Sequence, residues 1–237
     1  MKIIKEKRLN LVTAIILSVL IIGIISVCFI PSKVVYISGG KTYEPIYHGD
    51  RNSRFVALTF NVYEGSQTVE GILQVLEDYG ARATFFLGGC WADDNIALVK
   101  KIIESGHEIG SHGYFHKDHS KLTEEQNRCE MELLHKLIKG ETGYEIELFA
   151  PPSGAFSVTS LKVAENMGYK TVLWSKDTVD WRDKNQKVVY NRAIKNVSGG
   201  DIILMHPKEH TLSALPKILE FYKNEGLLAV TVSECIG

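Results

Sequence analysis

His112 and His116 stand four residues apart in SHGYFHKDH, with His119 close behind. One helical turn or a tight loop puts the first two imidazoles on the same side, a spacing that suits two ligands of one zinc-like ion. H-x-x-x-H alone is unspecific, because histidines that bind nothing are commoner. The small neighbours Ser111 and Gly113, and a position just after a strand-like run, favour the ligand reading. Other polar residues collect at comparable points: Asn61 and Glu64 in LTFNVYEGS, then APPSG (Ala150 to Gly154), Asp177, Asp180 and Trp181 in DTVDW, and His206 in MHPKEH. Asp177 and Asp180 suit either a cap on a following helix or a carboxylate that orients a histidine. Trp181 offers a flat face to a sugar ring or closes a packed loop. His206 suits proton donation to a leaving amine, since a free imidazole changes charge at about pH 6.5.

These residues need a frame that brings them together. Short apolar or β-branched runs, Arg54–Phe60, Ala83–Leu87, Glu108–Ser111, Glu147–Ala150, Thr171–Trp174, Asp201–Met205 and Leu228–Val232, predict strands. Between them Thr68–Tyr79, Asp94–Ser105, Thr123–Glu141, Ser157–Met167, Asn185–Asn196 and Leu212–Asn224 carry helical spacing. Gly80, Gly106, Gly143, Gly168 and Gly226 stand where left-handed C-caps belong, and Thr123 with Gln126 spells a capping box. Strand and helix alternate strictly, which predicts an α/β fold, a distorted (β/α) barrel of about seven parallel strands. In such barrels the chemistry sits at the C-terminal strand ends, where the polar residues above fall.

The composition, 45% hydrophobic and 23% charged with a net charge of −1, suits one globular domain and implies no nucleic-acid partner. Extra apolar sequence lies at the front: residues 9–30 carry no charge and follow a basic tail, 1–8, with Lys2, Lys5, Lys7 and Arg8. That run is long enough to cross a bilayer core of roughly 30 Å. The basic flank predicts a single transmembrane helix with the N-terminus in the cytoplasm and the domain on the outer face. A cleaved signal peptide is the rival, but the run is long for one and lacks a small-residue cleavage site. Residues 31–53 read as a linker and 54–237 as the domain. Cys28 lies in the span, and Cys90, Cys129 and Cys235 are too scattered for a zinc knuckle or a disulfide scaffold.

In this order the motifs resemble the polysaccharide deacetylase family, the NodB-homology or carbohydrate esterase 4 group, from about Arg54 to Gly237. Its motifs T-F-D-D-G, H-[ST]-x-x-H, R-x-P-x-G, an Asp and Trp pair and L-x-H stand here as TFNVYEG, HGYFH, APPSG, DTVDW and LMH. The resemblance implies a divalent ion, zinc, cobalt or manganese, that polarises an acetamide and activates water. It implies His112 and His116 as ligands with Glu64 or Asp177 completing the set, and His206 as acid supported by Asp180. Pro151, Pro152, Gly154 and Trp181 would form the substrate groove. The family's base and metal-binding carboxylates fall on Asn61 and Val62, which have neither charge, and its third-motif arginine falls on Ala150. TFNVYEG is similar to variants in sporulation-type deacetylases. The expected function is a membrane-anchored N-deacetylase of cell-wall peptidoglycan, acting in sporulation. The alternative is a catalytically silent, glycan-binding relative.

Overall fold

A computed structural model describes residues 36–38 and 41–237. The basic tail and the apolar run 9–30 lie outside the described residues, as does Cys28. Among the described residues no helix is long and apolar enough to cross a membrane.

A short antiparallel hairpin, β1 (Tyr36–Ser38) and β2 (Lys41–Tyr43), precedes β3 (Phe55–Val62). β3 is apolar at nearly every position and buried along its length, as expected of a strand covered on both faces of a parallel sheet. Its side chains alternate with period two. Val56, Leu58, Phe60 and Val62 join the larger core under the helices, with Val69, Ile72 and Leu76 of α1 (Ser66–Asp78). Ala57 faces the other way, into a smaller cluster with Phe86, Leu148, Val172 and Ile202.

The chain continues through β4 (Thr84–Leu87), α2 (Gly89–Asp94), α3 (Ile96–Glu104), β5 (Glu108–Ser111), α4 (Glu124–Thr142), β6 (Leu148–Phe149) and α5 (Val158–Asn166). It then forms β7 (Lys170–Thr171), β8 (Lys176–Asp177), α6 (Gln186–Ile194), β9 (Ile202–Met205), α7 (Glu209–Asn224), β10 (Leu228–Val230) and α8 (Val232–Ile236). Seven strands pair in the order β7-β6-β5-β4-β3-β9-β8, every pair parallel, and β10 pairs with the start of β3. No ladder joins β7 to β8 among the described residues, so the sheet is a half-barrel and not a closed ring.

The predicted strand Thr171–Trp174 is strand only at Thr171, the end of β7; Val172 makes one isolated bridge with Ile46, and β8 begins only at Lys176. After Val172, whose N–H still donates to Phe149 of β6 at 2.8 Å, the backbone leaves that strand: the Leu173 N–H donates to the Ile46 carbonyl at 2.8 Å, and the Ser175 N–H donates to Ile202 at 3.0 Å. The chain thereby crosses from one edge of the half-barrel to the other. The predicted helix Asp94–Ser105 begins late because Asn95 breaks it from α2; its side-chain amide donates to the Trp91 carbonyl at 2.7 Å and its Oδ1 accepts from Ser66 at 2.8 Å. The helix punctuation is as read: all five C-terminal glycines have positive φ, and the Thr123–Gln126 capping box is present.

At the opposite end of the strands from the chemistry, Asp201 is buried and accepts from Arg51 (2.5 Å), Ser175 (2.7 Å) and the Ser198 N–H (2.9 Å). This ties the segment before β3 to the base of β9. Burial pushes the Asp201 carboxyl up, but the hydrogen bonds from Ser175, Ser198 and Arg51 outweigh it and hold it below the ordinary carboxylate value. The stabilisation is therefore present above the unfolded Asp pKa of about 3.9 and is lost as pH falls through the lower folded value. Asp201→Ala is expected to cost roughly 1–3 kcal/mol in urea denaturation at neutral pH, because it leaves the partly buried Ser175 and Ser198 donors unpaired while Arg51, 43% exposed, can turn to water. The gap from wild type should narrow below about pH 4.

Candidate active site

Asn61 and Tyr63 share the inward face of β3 and its continuation, so both line a cavity of about 370 Å³ at the C-terminal strand ends. Val62, between them in sequence, points the opposite way and is fully buried in the helix-side core. Asn61 is itself buried, and its Oδ1 has no hydrogen-bond partner among the described residues.

His112 follows β5 directly and its Nδ1 lies 2.7 Å from the Ala150 carbonyl. A carbonyl only accepts, so Nδ1 carries the proton and Nε2 keeps the lone pair of the neutral ring. Ala150, at the third-motif position, therefore orients His112 through its backbone. Next comes a tight loop, not a helical turn: Gly113 has φ +73° and His116 φ +55°. A Cβ at Gly113 would lie 2.9 Å from His119 Nε2 and 3.2 Å from Glu130 Oε2, so the position admits only glycine. The loop is held from behind by Glu130 of α4, which accepts the N–H groups of Tyr114 (3.0 Å) and Phe115 (2.8 Å) and lies 3.4 Å from Lys117. The result is a His112–His116 ring separation of 5.0 Å, with Tyr63 4.6 Å from His116.

Across the cavity His206 is fixed by Asp180. The buried carboxylate accepts from His206 Nδ1 (2.7 Å), from the His206 backbone N–H (2.7 Å) and from the Thr211 hydroxyl (2.7 Å). Asp180 does not line the cavity; it positions the imidazole that does. Asp177 lines the wall and its Oδ1 accepts the Val179 N–H at 2.7 Å. Trp181 also lines the wall and is 53% exposed, so it is not a loop plug, and the Arg182 guanidinium lies 5.8 Å from its ring centroid.

The structure does not bring together every residue singled out from sequence. Glu64 is an exposed rim residue ion-paired with Lys208, outside the residues that line the cavity. From APPSG it is Ser153 that reaches the cavity, while Pro151 and Pro152 are buried and Gly154 packs against Trp174. His119 is wholly buried behind the loop, its Nδ1 2.7 Å from Asn127 Oδ1. Tyr63, Ser153 and Trp174 line the cavity as well, and no motif spacing singles them out. Tyr63 was accessible by period-two counting from Asn61. Cys90 and Cys129 are exposed free thiols, and Cys235 is a buried one.

A family model described as polysaccharide deacetylase matches residues 48–172. A peptidoglycan-N-acetylglucosamine deacetylase of Bacillus cereus is 34% identical over 78% of this chain and 89% of its own length. The chain belongs to the polysaccharide deacetylase family. YlxY of Bacillus subtilis, an uncharacterized protein, is 37% identical over 81% of this chain, which spans 60% of that relative's length. Among solved structures, a pseudoenzyme of the carbohydrate esterase 4 family from Bacillus anthracis, BA3943, is similar with a TM-score of 0.80 and 31% identity, covering 84% of this chain and 70% of its own. A mutant of BA3943 is described as having restored enzymatic activity.

Members of the polysaccharide deacetylase family are generally metal-dependent, but the donors in this one do not fit a divalent ion. The histidine pair stands with a neutral amide oxygen at Asn61, the Asp177 carboxylate on the cavity wall joins no ligand cluster with them, and Val62 turns hydrocarbon into the core where the family pattern has a ligand. Among the described residues no group of three or more His, Cys, Asp or Glu is arranged to hold an ion. Nor does a carboxylate stand at the base position, since Asn61 has no basicity near neutral pH. Burial, and next the neighbouring His116, hold His112 down at about 3. Burial also lowers His116.

Two outcomes follow for this polysaccharide deacetylase homologue. Val62→Asp is expected to destabilise by roughly 3–5 kcal/mol, as an unpaired charge in the helix-side core, and added zinc should not restore the melting temperature. The His112 imidazole should stay neutral from pH 8 to about pH 4 by NMR titration. Because the unfolded chain takes up that proton near pH 6.5 and the folded chain does not, His112 contributes stability above that pH that is lost as pH falls from about 6.5 towards 3.

Proposed function

We propose that the chain is a cell-wall glycan-binding member of the polysaccharide deacetylase family that has lost metal-dependent N-deacetylation. The observation that carries this reading is the alternation of β3, which gives the cavity a neutral Asn61 and hides Val62 in the core. No carboxylate is left at either first-motif position, and the one that lines the cavity, Asp177, joins no cluster of ligands with the histidines. Support for a glycan comes from relatives named as peptidoglycan deacetylases and from Tyr63, Trp174 and Trp181 in the cavity wall. Aromatic faces of this kind suit the apolar face of a sugar ring. The pseudoenzyme neighbour gives precedent for a silent site on this fold. The apolar run 9–30 would anchor the domain in the membrane, and its basic flank favours the outer face, where peptidoglycan lies.

A second reading, residual amide hydrolysis, is favoured by one observation: the His206–Asp180 pair is intact and correctly oriented for an acid. One experiment separates the two. The full chain in detergent is incubated with acetylated peptidoglycan sacculi and zinc, manganese or cobalt salts. It is expected to co-sediment with the sacculi and to release no acetate above the blank. Acetate release that disappears in His206→Ala would establish hydrolysis in its place.

A further inference from the structure

Among the described residues four that are not glycine have positive φ: His116, Ser153, Val179 and Asn196. Val179, at φ +52°, is the β-branched one, and a branched side chain in this region is strained. Strain of this kind persists only where the surroundings over-determine it, and it collects at functional sites. Here the surroundings are explicit. Before the turn, the Thr178 hydroxyl donates to the Leu204 carbonyl at 2.8 Å, and the Thr178 carbonyl accepts from Arg192 at 2.9 Å. After it, the Asp183 N–H donates to the Val179 carbonyl at 2.9 Å. The Val179 N–H itself donates to Asp177 Oδ1 at 2.7 Å, an Asx turn closed by the side chain two residues earlier.

The left-handed residue redirects the chain just before Asp180. Asp180 is thereby turned inward, wholly buried against His206 and Thr211, while the next residue, Trp181, faces out along the cavity wall. A right-handed or extended Val179 would send residue 180 elsewhere, and the His206 Nδ1 proton would lose its acceptor. We infer that Asp177 is a positioning residue: its carboxylate holds the strained turn at Val179 that aims Asp180 at His206, and so decides which imidazole nitrogen faces the cavity. Asp177 is then spent on the backbone and not on an ion. The inference goes beyond the glycan-binding reading and does not rest on it, because His206 is presented in the same way for binding or for acid catalysis.

The test is nitrogen NMR of the histidine side chains in the full chain in detergent, at about pH 8, where a free imidazole is neutral. The His206 signals are assigned by their loss in His206→Ala. In the wild type His206 is expected to carry its proton on Nδ1 alone, through the 2.7 Å bond to Asp180. Asp177→Ala removes the acceptor for Val179, and the single tautomer should be lost to a mixture of Nδ1–H and Nε2–H forms. Asp177→Asn keeps an oxygen for the Val179 N–H, since asparagine closes the same turn, and should leave Nδ1–H alone. Adding Val179→Gly to Asp177→Ala should restore it, because glycine takes positive φ without strain. A carboxylate acting only by its charge or as part of the cavity wall would be rescued by neither change. His112, held by the Ala150 carbonyl, reports an intact fold by keeping its own Nδ1–H in every variant. An unchanged His206 tautomer in Asp177→Ala would overturn the assignment, as would a mixture in Asp177→Asn or in the double variant. If Asp177→Ala alone does not fold, the double variant decides: a folded chain with Nδ1–H at His206 supports the assignment, and an unfolded one overturns it. In each case the glycan-binding reading stands or falls separately, since no glycan is present.

Discussion

The site depends first on the two-residue alternation of β3. With both faces of the strand covered, a shift of one position would move a whole row of side chains from one core to the other. Val56, Leu58, Phe60 and Val62 are locked to the helices, and this fixes Asn61 and Tyr63 on the cavity side. Chemistry at residue 62 is therefore governed by packing, and a polar side chain there would have to bend the strand before it could serve the cavity.

A second layer of control lies behind the loop that carries the paired histidines. Glu130 holds two consecutive amides, His119 and Asn127 fill the space beside it, and Gly113 lets the backbone turn over them. His112 and His206 are each oriented by a group that leaves the other ring nitrogen for the cavity: a backbone carbonyl for one and a buried carboxylate for the other. The positions of the imidazoles are thus retained although the carboxylates of the family pattern are not. Orientation and reactivity have come apart in this chain.

Much of this was legible in the sequence, for identifiable reasons. The helix ends carry glycines and caps whose backbone demands are local, and the continuous apolar run of β3 announces burial on both faces. The orienting role of Asp180 was one of two readings, and only the distance to His206 decides between them. What stayed hidden depended on long-range placement. Trp174 reads as the end of a strand, but the backbone hydrogen bonds of its neighbours go to Ile46 and Ile202, far away in sequence. Glu64 reads as a spare ligand until Lys208, brought close by the start of α7, pairs with it. Glu130 sits in an amphipathic helix like any solvated glutamate, and nothing nearby in sequence marks it as the support of the histidine loop.

The crossing of the chain from β7 to β8 has a mechanical meaning. A barrel closed by ladders has a fixed circumference, because each added ångström would break strand pairing. Here the perimeter includes a stretch of backbone, residues 172–175, tied only at single points to Ile46, Phe149 and Ile202. That stretch carries Trp174, one wall of the cavity. The aperture over the site is accordingly set by a seam and not by the sheet, so its width can evolve, or respond to a bulky polymer, without altering the register of any strand.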